Sequence, residues 1–212
     1  PTRWNIAGIG GDFGSHHPGA PNATGRRYYR VYRRAPLSLS IAQRQQKTGK
    51  MTTLQVRHLT VEIGSAVACH DLSLIFHPGE VWSVLGRNGV GKSTLLCTLA
   101  GLRPATAGTI LVEDISLERI SRRKRAQTIG ILFQEQDPTF PATVLETALT
   151  GRHPWLSLFE GEGETDIEMA SRALEQLDLD GMEQRELWSL SGGERRRVDL
   201  AALVLQQTRV ML

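Results

Sequence analysis

Gly86-Arg87-Asn88-Gly89-Val90-Gly91-Lys92-Ser93-Thr94 fits the pattern G-x-x-x-x-G-K-[ST] at every fixed position. Ahead of it the apolar run Val81-Trp82-Ser83-Val84-Leu85 reads as a buried parallel strand. Behind it, residues 93–100 read as a helix that Gly101 stops. Strand, glycine-rich loop and helix, in that order, gather backbone N–H groups around a phosphate. Gly86, Gly89 and Gly91 permit tight turns and a close backbone approach where a side chain would collide. The helix then points its unpaired N–H groups and positive dipole end at the same anion. Lys92 is placed to reach the β- and γ-phosphates of a nucleotide, and the Ser93 hydroxyl to coordinate Mg²⁺. Arg87, Asn88, Val90 and Thr94 complete the loop. The expectation is an α/β core that binds a nucleoside triphosphate.

Leu190-Ser191-Gly192-Gly193-Glu194 follows about a hundred residues later and opens an amphipathic stretch, Arg195 to Gln207. Between the two motifs lies Gln134, at the end of the strand-like run Ile129-Gly130-Ile131-Leu132-Phe133. A P-loop, a Gln after a strand, then L-S-G-G-E resembles the ATP-binding cassette family of transporter ATPases, over about Met51 to Leu212. The resemblance implies a P-loop NTPase core carrying an antiparallel β subdomain and a helical subdomain, the latter over about 138–188. It implies ATP and Mg²⁺ as cofactors. Ser191, Gly192, Gly193 and Glu194 are then expected to meet the γ-phosphate of ATP held by a second ATPase subunit. Gln134 is expected to contact Mg²⁺ or the attacking water, alongside Ser93 as a metal ligand.

Partners follow from the same resemblance: integral-membrane permease subunits, a second copy of the ATPase, and indirectly a periplasmic binding protein. The resemblance also implies work at the cytoplasmic face of the plasma membrane. Ile63 falls where the family usually sets an aromatic residue against adenine, so base binding is expected to be weak and poorly selective. The family's next motif is an aliphatic strand ending in Asp-Glu, followed further on by a switch His. Here Arg209-Val210-Met211-Leu212 reads as the start of that strand, and no Asp or Glu follows. These 212 residues are therefore expected to hydrolyse ATP negligibly and to form a fold incomplete at its C-terminus.

A finer resemblance lies in Gln134-Glu135-Gln136-Asp137-Pro138-Thr139-Phe140-Pro141-Ala142-Thr143-Val144-Leu145-Glu146 and in Thr150-Gly151-Arg152-His153-Pro154-Trp155. Both look like importers of iron-siderophores, haem and cobalamin, with other small-solute importers as the alternative. Two further readings stay open: a soluble cassette ATPase acting on ribosomes or DNA, and an inactive interaction module.

Charge divides the chain. Residues 1–50 carry nine basic groups against Asp12, a net +8, while the whole chain is +3. The remainder is thus acidic, and the high isoelectric point is no footprint of nucleic-acid binding by the ATPase. The leader shows no sustained apolar period and no secretory h-region, so it is expected to be unstructured, with Met51 the natural start. No stretch reaches the 18 or so apolar residues of a membrane span. Cys69 and Cys97 read as reduced thiols, and His58, His70, His77 and His153 show no ligand spacing. The run Arg122-Arg123-Lys124-Arg125 reads as a solvated helix face.

Strands are expected at Leu54–Ile63, Leu72–Phe76 and Gly108–Val112, with a basic helical connector from Ile120 to Ala126. Helices are expected at Val144–Leu149 and at Ile167–Leu179, the latter with Ile167, Ala170, Leu174 and Leu177 facing inward.

Overall fold

The computed structural model describes residues 26–30, 39–44, 54–64, 66–134, 141–157 and 161–212. They fall into two compact units, Pro1–Leu117 and Glu118–Leu212.

In the first unit, strands β3 (Leu54–Ile63) and β4 (Ala66–Phe76) form a long hairpin turned at Gly64. Strand β6 (Ala107–Val112) adds to the free edge of β3 and β7 (Ile115–Ser116) to β6, giving the antiparallel order β4-β3-β6-β7. Alternation supplies one buried face: Leu54, Val56, Leu59 and Val61 of β3, with Leu72 and Leu74 of β4 and Ile110 and Val112 of β6. The register shifts between Val56 and Leu59, where Arg57 and His58 both turn to solvent. That one-residue slip returns Leu59 to the core side.

Strand β5 (Val81–Gly86) leads into helix α1 (Lys92–Leu99), which packs against β3, β4 and β5 through buried Leu95, Thr98 and Leu99. The helix ends as the glycine promised. Gly101 sits at φ 70°, its N–H bonded to Thr98 O, and Leu102 N–H reaches back to Cys97 O. This double closure satisfies the last carbonyls.

Two expectations are corrected here. β5 is not a buried parallel strand: Val81 and Leu85 are 61% and 41% exposed. Its hydrogen-bonded neighbour is β2 (Leu39–Arg44), which runs antiparallel and pairs in turn with β1 (Arg26–Arg30). A parallel strand becomes buried when helices cover both faces; α1 covers β5 in part only. The leader, expected to be unstructured, thus contributes β1 and β2, and the rest of residues 1–50 lies outside the described residues.

The second unit holds α2 (Arg122–Ala126), β8 (Ile129–Gly130), α3 (Val144–Leu149), α4 (Glu164–Glu175), α5 (Gly192–Leu205) and β9 (Val210–Met211). β8 and β9 pair in parallel. The expected strand through Phe133 is thus regular only over two residues, though Leu132 N–H still bonds Leu212 O. Helices α3, α4 and α5 close on one apolar core that includes Val144, Ala148, Leu174, Leu179, Leu190 and Val198. Ala170, Ala173 and Ala201 sit in the same core and let the helices approach closely. Along α4 the inward row is Asp166, Ala170, Ala173 and Leu174; Ile167 is 41% exposed, against expectation. Both described cysteines are free thiols. Burial pushes the Cys69 thiol up to about 11.

Candidate nucleotide site

The P-loop follows β5 directly. Gly89 and Gly91 take φ values of 79° and 99°, where L side chains rarely go. Gly91 is also sterically confined: a Cβ there would overlap the Ala68 methyl and lie 3.1 Å from Ile63 Cδ1. The same contact puts Ile63 against the start of α1, so the position expected to cover the base stands beside the phosphate loop. Val90 N–H closes a turn onto Arg87 O at 3.3 Å, and Val90 itself is buried as the loop's anchor.

Lys92 Nζ donates to Gly86 O at 2.8 Å and to Arg87 O at 2.9 Å, so the ammonium spans the loop it follows. Both acceptors are neutral carbonyls, and no carboxylate pairs with Lys92 among the described residues. An incoming phosphate would therefore meet an ammonium it need not wrest from a competing anion. Ser93 is exposed at the first turn of α1. Arg87, Asn88 and Gly89 are exposed too, leaving the loop open. Glycines at positive φ, a free helix N-terminus, Lys92 and an exposed hydroxyl suit a Mg-nucleotide.

In the second unit, Ser191 caps α5 through a reciprocal box. Glu194 N–H donates to Ser191 Oγ at 3.3 Å, and Ser191 N–H donates to Glu194 Oε2 at 2.7 Å. The Ser191 hydroxyl also donates to Glu194 Oε2 at 2.7 Å. These bonds, helped by the charges of Arg185 and Arg197, hold the Glu194 carboxyl below its ordinary range. Leu190, only 4% exposed, plugs the three-helix core and fixes where the helix begins. Gly192 and Gly193 point the other way: a Cβ at either would meet nothing within 4 Å.

Gln134 is exposed, one residue beyond Phe133, whose carbonyl accepts from the Arg196 guanidinium of α5. The segment 135–140 after it, part of the run read as subfamily-specific, lies outside the described residues. A cavity of about 270 Å³ opens beside Leu132, Phe133, Thr147, Asp199 and Gln206. Burial pushes the Asp199 carboxyl up, with Arg196 acting against it. The first unit thus gathers Gly86–Thr94 and Ile63, and the second gathers Gln134 and Ser191–Glu194.

The run Gly151-Arg152-His153-Pro154-Trp155 has a structural task within the second unit. Gly151 is buried against α5, where a Cβ would run into the Ala202 carbonyl. Arg152 Nε donates to Asp166 Oδ1 at 2.7 Å, both side chains being nearly buried, and Asp166 also accepts from Gly163 N–H. Arg152 holds the Asp166 carboxyl below its ordinary range. Its guanidinium also lies 5.7 Å from the Trp155 ring, whose Nε1 donates to Gln206 O. The motif ties the start of α4 to the end of α5. The basic run 122–125 is likewise partly engaged: Arg123 donates to the carbonyls of Pro154 and Trp155.

Residues 69–212 match the family model described as ABC transporter. The hemin import ATP-binding protein HmuV of Myxococcus xanthus is 38% identical over 73% of this chain and 57% of its own length. The phosphonates import ATP-binding protein PhnC 2 of Rhodopseudomonas palustris is 36% identical over 75% of this chain and 61% of its own. A solved inward-facing ABC transporter, described as of metal-chelate type, superposes with a TM-score of 0.63 at 28% identity, over 76% of this chain and 59% of that one. The chain spans less than two thirds of the length of these relatives. With a family model over most of its length and the loop, cap and helix that the family's motifs require, the chain belongs to the ABC transporter family.

Proposed function

We propose that this chain is the ATP-binding part of an importer, working as a head-to-tail pair of ATPase subunits against integral-membrane permease subunits. The observation that carries this reading is the contrast between its two glycine motifs. Gly91 is demanded by internal packing and by its backbone angle, so the P-loop is built to shape its own backbone. Gly192 and Gly193 answer to nothing inside their unit. They keep side chains away from an exposed helix N-terminus, as an anion delivered by another subunit requires. Bound ATP and Mg²⁺ would supply the phosphoryl chemistry. Gly86–Thr94 would hold the phosphates, Ser93 the metal and Ile63 the base, and Ser191–Glu194 of the second subunit would hold the far side of the triphosphate. Turnover belongs to the assembled protein.

The cargo class rests on finer marks. Identity alone does not choose it, since the hemin-import and phosphonate-import relatives differ by two percentage points. The stretch from Thr143 to Trp155 favours a metal chelate such as an iron-siderophore, haem or cobalamin. No described helix is long and apolar enough to cross a membrane. On the family resemblance, the chain is proposed to act peripherally, at the cytoplasmic face of the plasma membrane, with a periplasmic binding protein as indirect partner.

Two measurements test the reading. Equilibrium titration with a fluorescent ATP analogue and Mg²⁺ is expected to show binding that Lys92→Ala abolishes. Deleting the gene is expected to stop uptake of a radiolabelled metal chelate while sparing phosphonate uptake. Nucleotide binding that is indifferent to Lys92 would overturn the ATPase reading. The opposite uptake pattern would overturn the cargo class alone.

A further inference from the structure

Three tryptophans lie among the described residues, and two have their indoles engaged. Trp82 Nε1 donates to Glu80, and its ring meets Phe76 edge-on at 4.8 Å. Trp155 Nε1 donates to Gln206 O, and Arg152 lies over its ring. Trp188 has neither a ring contact nor a partner for its N–H among the described residues, and it is 54% exposed.

That exposure is held in place. Trp188 sits in a single 3-10 turn, Leu187–Ser189, just before the capped start of α5. Leu187 packs against the three-helix core and donates its N–H to Ala142 O at 3.0 Å. Leu190 is buried in that core, and its N–H bonds back to Leu187 O at 3.2 Å. Ser189 is clamped as well. Its hydroxyl donates to Glu186 O at 2.8 Å, and Arg185 donates to its carbonyl at 3.2 Å. With the residues at 187 and 190 turned inward, the indole is presented outward on a fixed turn. The Cα of Trp188 lies no more than about 10 Å from that of Ser191.

The P-loop side has the complementary deficiency. Ile63 stands beside Gly91 where the base of a bound nucleotide is expected, and its aliphatic side chain offers no π-face. We propose that Trp188 of one copy stacks on the purine of the nucleotide held by the P-loop of the second copy, supplying the aromatic surface that Ile63 lacks. This rests on the head-to-tail reading above, in which the neighbouring Ser191 meets the γ-phosphate of that same nucleotide. An indole beside a base is recognised by shape and polarisability, so the contact favours purines over pyrimidines.

The test uses the full-length protein under conditions where Mg-ATP pairs it, with ATP and inorganic tripolyphosphate as probes. Stacking of a base on an aromatic side chain is expected to change affinity roughly 5- to 150-fold. Trp188→Ala is therefore expected to weaken ATP binding by about that factor and leave tripolyphosphate binding unchanged, with Trp188→Phe recovering most of the loss. Mixed pairs settle the direction. A Lys92→Ala copy joined to a Trp188→Ala copy keeps one intact P-loop facing one intact Trp188, and is expected to bind ATP normally there. A wild-type copy joined to one carrying both substitutions is expected to show the loss. Equal weakening of both probes, or no weakening of either, overturns the role of Trp188. If Mg-ATP fails to pair the wild-type protein while Lys92→Ala still removes binding, it is the head-to-tail reading that has failed.

Discussion

Gly91→Ala separates two costs that the structure assigns to one position. At φ 99° an alanine enters left-handed backbone, a penalty of about 1–2 kcal/mol. Its methyl would also overlap that of Ala68, which is 2% exposed on β4 and cannot swing aside, with Ala68 Cα at 3.2 Å and Ile63 Cδ1 at 3.1 Å. Overpacking of this kind adds roughly 1–3 kcal/mol. Gly91→Ala alone is therefore expected to lose about 2–5 kcal/mol. Ala68→Gly alone should lose about 1 kcal/mol, from strand entropy. Because Ala68→Gly removes the overlapping methyl, the double variant is expected to be less damaged than the sum by about 1–3 kcal/mol, while the backbone penalty persists. The assay is urea unfolding of all four proteins, with a parallel titration of fluorescent ATP. The double variant should regain stability but not full affinity, because the loop N–H groups still follow a strained backbone. Additivity within about 0.5 kcal/mol would refute the packing argument.

Arg152→Ala is expected to cost about 1.5–3 kcal/mol, the worth of a charge-assisted hydrogen bond, as read from the urea midpoint. The Asp166 carboxyl titrates below its ordinary range, so its contribution is complete above the unfolded-state value near 4 and fades as pH falls through the native one. Asp166→Asn should thus shrink the acid-side loss of stability below about pH 4, and an unchanged acid limb would contradict the pairing. Gly151→Ala should destabilise by roughly 1–3 kcal/mol, since its methyl meets the Ala202 backbone rather than a mobile side chain. A wild-type melting temperature would show that α5 can shift to admit it. Cys69, buried and titrating near 11, should resist iodoacetamide at pH 7.5 in the native protein and label only on unfolding, as followed by peptide mass.

The P-loop, the hairpin and the position of α5 after Leu190-Ser191-Gly192-Gly193-Glu194 were legible because each is written locally. A glycine pattern or a period of two needs no distant partner to be recognised. What escaped is non-local. Whether β5 is buried depends on which strand takes its edge, and the edge is taken by β2 from forty residues upstream, in a segment without apolar rhythm. Ile167 misled for a related reason. An apolar period assigns inward positions by hydrophobicity, yet the inward place in the first turn of α4 belongs to Asp166, which Arg152 satisfies from outside the helix. An ion pair that turns an acid into a core residue leaves no mark in the helical period.

The two glycine motifs also give the proposed sharing of a site between subunits a test within one of them. A glycine kept for its own fold should be damaged by a methyl; a glycine kept for a partner should not. Gly193 lies in α5 with ordinary helical backbone and open space where its Cβ would be. Gly193→Ala should therefore preserve the fold or stabilise it, by up to about 1 kcal/mol on helix propensity. Yet its methyl would stand over the N–H groups that the partner's triphosphate is proposed to approach. The expected result is an unchanged or raised melting temperature without nucleotide, together with loss of Mg-ATP-dependent pairing in size-exclusion chromatography. Were pairing to survive Gly193→Ala, nothing inside or outside the unit would account for the glycine, and the assignment of this helix end to a second subunit's nucleotide would fall.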